Sequence, residues 1–368
     1  MNKRLISIIG LFLVLSTTIA AIGCGNEPIA TPYVAEEFVV CNASGNQGSP
    51  RISGDIVVWA DNRNGNTDIY GYNLSDGSEF PVCTNSSDQT NPDVDNASDT
   101  VVWQDDRNGN DDIYGYNLSA ETEFIICNES HEQGAPSISG DTVIWMDDRD
   151  DIDNVSYIYG YNLSSGEEFP ISTYQSMNST YLSTKMFPSI YKDTVTWLDF
   201  REINLSAHQQ HPDTDFNTEI YGYNLSSDLE FAITDDEYTQ DPPGADIYGD
   251  ILVWSEGHQD ESTSYIYSYN LTTHAKSALT TSHDALRTPV IYGDIVVWED
   301  YRNGNGDIYG YNLKTGEEFA ICTDPGYQQN PAIYGNIVVW EDDRDEVANT
   351  YGSKPYDIYG ARLTFDNP

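Results

Sequence analysis

The chain has 368 residues, with 60 acidic against 16 basic side chains and a formal charge of −44. A polyanion of this size repels nucleic-acid phosphates and anionic lipid, which excludes both as partners and leaves cations, basic proteins or a salty exterior. Aromatic residues make up 12% of the chain and β-branched residues are plentiful, so it is not a disordered acidic tail.

The first element in chain order is an export signal over residues 1–23. Lys3 and Arg4 precede an almost wholly apolar run from Leu5 to Ala20. Ala21-Ile22-Gly23-Cys24 then resembles a lipoprotein box, with Cys24 as the lipid-bearing residue and 24–35 a short linker after it. Ordinary cleavage near the same small residues is one alternative, and an uncleaved span of the ~20 residues a membrane helix needs is another. All three place the remainder outside the cytoplasmic membrane, at the cell surface or in the extracellular or periplasmic space. Contact with the membrane is then through the N-terminal lipid or signal anchor alone.

Residues 36–368 form a tandem array. Trp59, Trp103, Trp145, Trp197, Trp254, Trp298 and Trp340 each close one apolar phrase, at spacings of 44, 42, 52, 57, 44 and 42 residues. Repeats of this length signal a β-propeller. Each repeat parses into four short strands. Strand a opens with proline in six of seven copies and ends at a tight turn such as Gly54-Asp55, where glycine supplies positive φ. Strand b is the alternating Ile-Val-Val-Trp segment. Strand c is Asp-Ile-Tyr-Gly-Tyr-Asn-Leu, whose small Gly71 and counterparts are expected to let a neighbouring sheet approach. Strand d is Glu-Phe-x-Ile followed by Cys or Thr. The array opens with a lone strand d at about 36–42 and ends on a strand c. This predicts an all-β fold: a seven-bladed β-propeller of four-stranded blades, its ring closed by the N-terminal strand completing the C-terminal blade. Cys41, Cys83, Cys127 and Cys322 share one repeat position, expected to lie too far apart across blades for disulfides.

The run from Trp298 to Tyr309, Trp-x-Asp-x-Arg-x-Gly-x-x-Asp-Ile-Tyr, resembles the TolB-type β-propeller repeat, and the resemblance spans 36–365. It implies the propeller fold and a place among exported propellers that include binding proteins, oligogalacturonate lyases and companions of peptidase domains. TolB itself has an N-terminal α/β domain for which this sequence leaves no room, so its envelope partnership is not implied.

The repeated Asp-x-Arg is the loudest polar signal: Asp61/Arg63, Asp105/Arg107, Asp147/Arg149, Asp199/Arg201, Asp300/Arg302 and Asp342/Arg344, with Glu256/His258 in blade 5. A ring of ligand-binding arginines is one reading. A hairpin staple, repeated because the blade is repeated, is favoured, since a catalytic site needs asymmetry. The arginines are expected to pair locally or with an acid opening strand c: Asp68, Asp112, Glu219, Asp307 or Asp357. Asp106, Asn108, Asn110 and Asp112 alternate as oxygen ligands, echoed by Asn62, Asn64, Asn66 and Asp68, so Ca²⁺ is the one cofactor suggested.

Asymmetry lies in the long connections 150–156, 172–187, 202–217, 257–264 and 345–356, all in b–c or d–a links, which share one face of a propeller. His131, His208, His211, His258 and His283 lie in b–c or d–a links of this same face and are the ligand-face candidates; His208 and His211 could be half of a metal site. There is no Gly-x-Ser-x-Gly elbow, and carboxylates are too abundant to single out a glycosidase dyad, so no catalytic residue is assigned. The sequence reads as a monomeric, non-catalytic surface module that binds an envelope or extracellular protein, or a glycan. A metal-assisted polysaccharide lyase or hydrolase, with its site on the long-loop face, is the competing reading. A structural surface-coat protein is the third.

Overall fold

The structure is a computed structural model that describes residues 32–149, 155–172, 184–200, 218–234, 239–240, 244–257, 263–281, 283–344 and 354–365. Cys24, Arg201, His208, His211 and His258 lie outside the described residues. Seven antiparallel sheets follow one another, each with its strands side by side in the order a-b-c-d. Blade 1 is Gln47–Ser53, Ile56–Asp61, Asp68–Asn73 and Ser78–Cys83. Among the described residues there are strands and turns and no helix.

The core sits between blades rather than within one. Both faces of each sheet are covered, which is why strand b reads as a continuous apolar run instead of strict alternation. Trp103 of blade 2, for example, packs on Val58, Ile69, Val82 and Cys83 of blade 1. All seven tryptophans are fully buried. A blade alone would leave one such face wet, so the ring is stable only as a ring.

Closure follows the expected plan but begins earlier. The N-terminal strand is Pro32–Cys41, not one starting near residue 36, and it pairs with Asp357–Phe365 from Cys41↔Ile358 out to Pro32↔Phe365. It completes the sheet of Gln328–Tyr334 and Ile337–Asp342. No c–d hairpin stops this pair, so it runs past the length of its counterparts.

The strand-c glycine has a different cause from the one expected. A Cβ on Gly71 would meet the Phe80 ring at 2.5 Å, and one on Gly222 would meet Phe231 at 2.6 Å. The neighbour is the phenylalanine directly opposite in strand d of the same sheet, not an adjoining blade. The aromatic ring lies over the glycine and covers its backbone from water. Blade 5 has lost both partners together: Ser268 faces Ser277.

Candidate functional site

The repeated charges are consumed inside the fold. In each blade the tryptophan Nε1–H donates to the carboxylate two residues on, as Trp59 to Asp61 at 2.9 Å and Trp145 to Asp147 at 2.8 Å. In blades 1, 2, 3, 6 and 7 the same carboxylate, itself fully buried, pairs with the arginine, as Arg63 with Asp61 at 2.6 Å. That guanidinium lies over the strand-c tyrosine, 4.2 Å from the Tyr70 centroid. Its second acid is not the one opening strand c. Arg63, Arg107, Arg149 and Arg302 reach Glu79, Glu123, Glu168 and Glu318 in strand d at 2.5–2.6 Å. Register explains this: Asp68 stands directly across from Asp61, and its carboxylate is taken by the Asn64 and Asn66 amides at 2.7 and 3.0 Å.

Blade 5 reverses the charges. Strand d carries Lys276 where blade 1 has Glu79, since Lys276 faces Tyr269 as Glu79 faces Tyr72. The ammonium pairs with Glu256 at 2.6 Å and lies 4.4 Å from the Tyr267 centroid. One cation thus fills the arginine's place from the opposite strand.

The residues weighed for calcium form the same kind of clasp. Asn108 and Asn110 turn amide nitrogens to Asp112 at 2.6 and 3.1 Å, and Asp106 accepts the Asp88 N–H at 2.8 Å. Cation binding here would require both amides to rotate so that oxygen faces the carboxylate. Among the described residues, one group of three potential ligands is close enough to hold an ion: Glu37, Cys322 and Asp324. The Arg344 guanidinium bonds all three. The four described cysteines are free and buried, and burial pushes each thiol up to about 12.

Of the ligand-face histidines, His131 is exposed in the link between blades 2 and 3, at φ 72°. His283 lies in the link between blades 5 and 6, in a two-residue strand beside Thr263 and Ser264. The fold sets these two three blades apart.

A position that sequence reasoning passed over builds the channel mouth on the long-loop face. The residue after each tryptophan is Ala60, Gln104, Met146, Leu198, Ser255, Glu299 or Glu341, the one strongly variable place in strand b. It abuts the strand-a bulge of its own blade or of the next, where the residue before proline is held in the left-handed region: Ser49, Asn91, Ala135, Phe187, Thr288 and Asn330 have φ of 46–53°. Glu341 accepts the Ser49 N–H at 2.7 Å and the Asn330 amide at 2.8 Å. Glu299 accepts Thr288 Oγ1 at 3.3 Å and the Tyr301 hydroxyl, and burial pushes its carboxyl above the usual range.

On the other side of this mouth, blades 2 to 4 line an open pocket of about 260 Å³. Met146 and Phe187 form its apolar wall, and Asp111, Glu132 and Asp148 its acidic lining. Gln104 ties it together, donating to Asp111 at 2.6 Å and accepting from Asn91 at 3.0 Å and the Ala135 N–H at 3.3 Å. Burial, aided by Glu132 and Asp106, holds the Asp111 carboxyl above its ordinary range.

No family model and no curated protein matches the chain. Solved structures do. An oligogalacturonate lyase in complex with manganese superposes with TM-score 0.63 at 13% identity, over 92% of this chain and 97% of that one. The β-propeller domain of the Trilobed protease from Pyrococcus furiosus gives 0.65 at 12% identity, over 88% and 98%. TolB from Acinetobacter baumannii gives 0.50 at 13% identity, over 72% of this chain and 62% of that one. Identities this low speak for fold alone, and with the seven-bladed ring and its Trp-x-Asp-x-Arg repeat they show that the chain has the fold of the TolB-like β-propellers.

Proposed function

We propose that this propeller is an exported, non-catalytic binding module whose long-loop face engages an envelope or extracellular protein, or a glycan. One observation carries the reading. Among the described residues the repeated charges of blades 1–3 and 5–7 are spent on staples, and the symmetry breaks at the channel mouth, where a pocket with an apolar wall and three carboxylates opens. Concave, partly apolar sites with a few convergent polar groups are where ligands bind. The carboxylates favour a basic side chain or a hydroxyl-rich chain over an anion. The setting is the cell envelope or its exterior, reached through the signal at 1–23 and a lipid at Cys24.

The test compares wild type with Asp111→Arg and Gln104→Ala in glycan-array binding and in capture of the organism's envelope proteins. A ligand bound by wild type and lost by both variants, at unchanged melting temperature, supports the reading. A ligand bound equally by all three overturns it. The fold shared with a manganese-bound lyase favours one second reading, a metal-assisted polysaccharide lyase or hydrolase using His208, His211 and His258. Stoichiometric transition metal that disappears in a His208→Ala/His211→Ala variant, with eliminase activity on polyuronate, would establish it. Calcium at the Asp106–Asp112 hairpin is tested by melting with and without chelator.

A further inference from the structure

The open pocket of blades 2 to 4 holds its donors and acceptors out of balance. Its side-chain amides turn their nitrogens to oxygens of the wall: Gln104 to Asp111 at 2.6 Å, Asn91 to Gln104 at 3.0 Å and Gln133 to the His131 carbonyl at 2.9 Å. Backbone donors are taken in the same way. The Asp111 N–H goes to the Glu132 carboxylate at 2.9 Å and the Asp148 N–H to the Glu132 carbonyl at 2.9 Å. The carboxylates are not matched. One donor reaches the Asp111 side chain and one the Glu132 side chain, and among the described residues none reaches that of Asp148.

No cation of the described fold offsets them. Neither lysine nor arginine is among the lining residues. The guanidiniums adjacent in sequence are committed to their staples, Arg107 to Asp105 and Glu123 at 2.5 Å and Arg149 to Asp147 and Glu168 at 2.5 Å. Lys185 is fully buried, its ammonium 5.2 Å from the Tyr157 centroid. Glu132 and Asp106 add to burial in holding the Asp111 carboxyl above its ordinary range, as crowded like charges do.

A pocket of acceptors suits a group that only donates. Guanidinium and ammonium carry donors and no acceptor, whereas a sugar hydroxyl does both and would find few donors here for its lone pairs. Met146 and Phe187, both half-buried, offer an apolar wall to the stem of a long basic side chain. Between the two cations, guanidinium is the more weakly hydrated and spreads five N–H groups over a planar fork, which favours it beside several carboxylates and an apolar wall. We infer that this pocket, on the binding role proposed for its face, takes an arginine side chain of a partner protein. The stem lies against Met146 and Phe187, and the guanidinium meets Asp111, Glu132 and Asp148.

Calorimetric titration of the protein with blocked Gly-Gly-X-Gly-Gly peptides tests this, with arginine, lysine or uncharged citrulline at X. At about 0.15 M salt, where remote charges are screened, the arginine peptide binds with Kd on the order of 1 mM. The lysine peptide is about threefold weaker and the citrulline peptide about tenfold weaker or more. Glu132→Gln/Asp148→Asn, which keeps an oxygen for the Asp111 N–H, loses about tenfold. Asp55→Asn/Asp141→Asn removes two exposed acids from a–b turns on the opposite face and stays within about twofold of wild type. Citrulline binding as tightly as arginine, lysine binding more tightly, or equal losses in the two variants overturns the inference. An arginine peptide that does not bind, beside a neutral glycan bound by wild type and lost by Asp111→Arg, overturns it and leaves the binding role of the face standing. Absence of any ligand of either kind overturns both.

Discussion

Arg344, in blade 7, forms an ion pair with Glu37 of the closing strand, across 307 residues of sequence. It is the same contact that Arg63 makes with Glu79 within blade 1, so the ring closes by supplying the staple's missing acid from the other end of the chain. Strand pairing and packing dominate the closure, and a part-exposed ion pair adds little to them. Glu37→Ala is expected to lower stability by about 0.5–1 kcal/mol. Removal of residues 32–41 leaves blade 7 with an open edge and is expected to give aggregation. Urea melts and light scattering check both.

The reversed staple of blade 5 predicts a rescue. Lys276→Glu sets a carboxylate beside the fully buried Glu256 and should cost about 3–5 kcal/mol, as when a buried charge loses its partner. Adding His258→Arg restores the arrangement of the other blades and should recover most of that loss. A double-mutant cycle in urea measures it, and additive losses would refute the equivalence.

The glycine opposite phenylalanine is a packing requirement. Gly222→Ala puts a methyl 2.6 Å from the Phe231 ring and should destabilise by about 1–3 kcal/mol. Ser268→Ala in blade 5, where no ring lies opposite, should stay within about 1 kcal/mol of wild type.

Asp93 gives a pH dependence of definite sign. Burial in the channel wall pushes its carboxyl to about 6, with Arg51 opposing, against an ordinary 3.8. The folded protein therefore holds this proton more tightly than the unfolded chain. The resulting stability is full below about pH 4 and is lost as pH rises through 6. Asp93→Asn remains neutral, so its melting temperature should rise relative to wild type between pH 4 and 7. A parallel pair of curves would refute the shift.

The thiols offer a check on burial. With Cys41, Cys83, Cys127 and Cys322 pushed to about 12, the thiolate is scarce at pH 8 and the native protein should resist maleimide. All four should react once urea unfolds the ring, as mass spectrometry would show.

The sequence by itself determined the seven blades, their four strands and the use of the N-terminal strand to close the ring. These follow from local periodicity and from an apolar phrase repeated at each tryptophan, signals carried by neighbours in the chain. It also marked Asp61 and Arg63 as a staple by their repetition, although the strand ends at Asp61 and Arg63 pairs with it from the b–c turn rather than from a shared strand face. Only the tertiary structure decided that the staple's second acid is Glu79 and that Gly71 makes room for Phe80, because both depend on cross-strand register. It alone brought Gln104 to Asp111 and Phe187, and gathered Tyr191, Tyr248, Tyr292 and Tyr334 into one arc. Gln104 meets Asp111 across the b–c turn of its own blade, whereas Phe187 and the four tyrosines come from different blades, tens of residues apart, and become neighbours when the blades close around the channel axis.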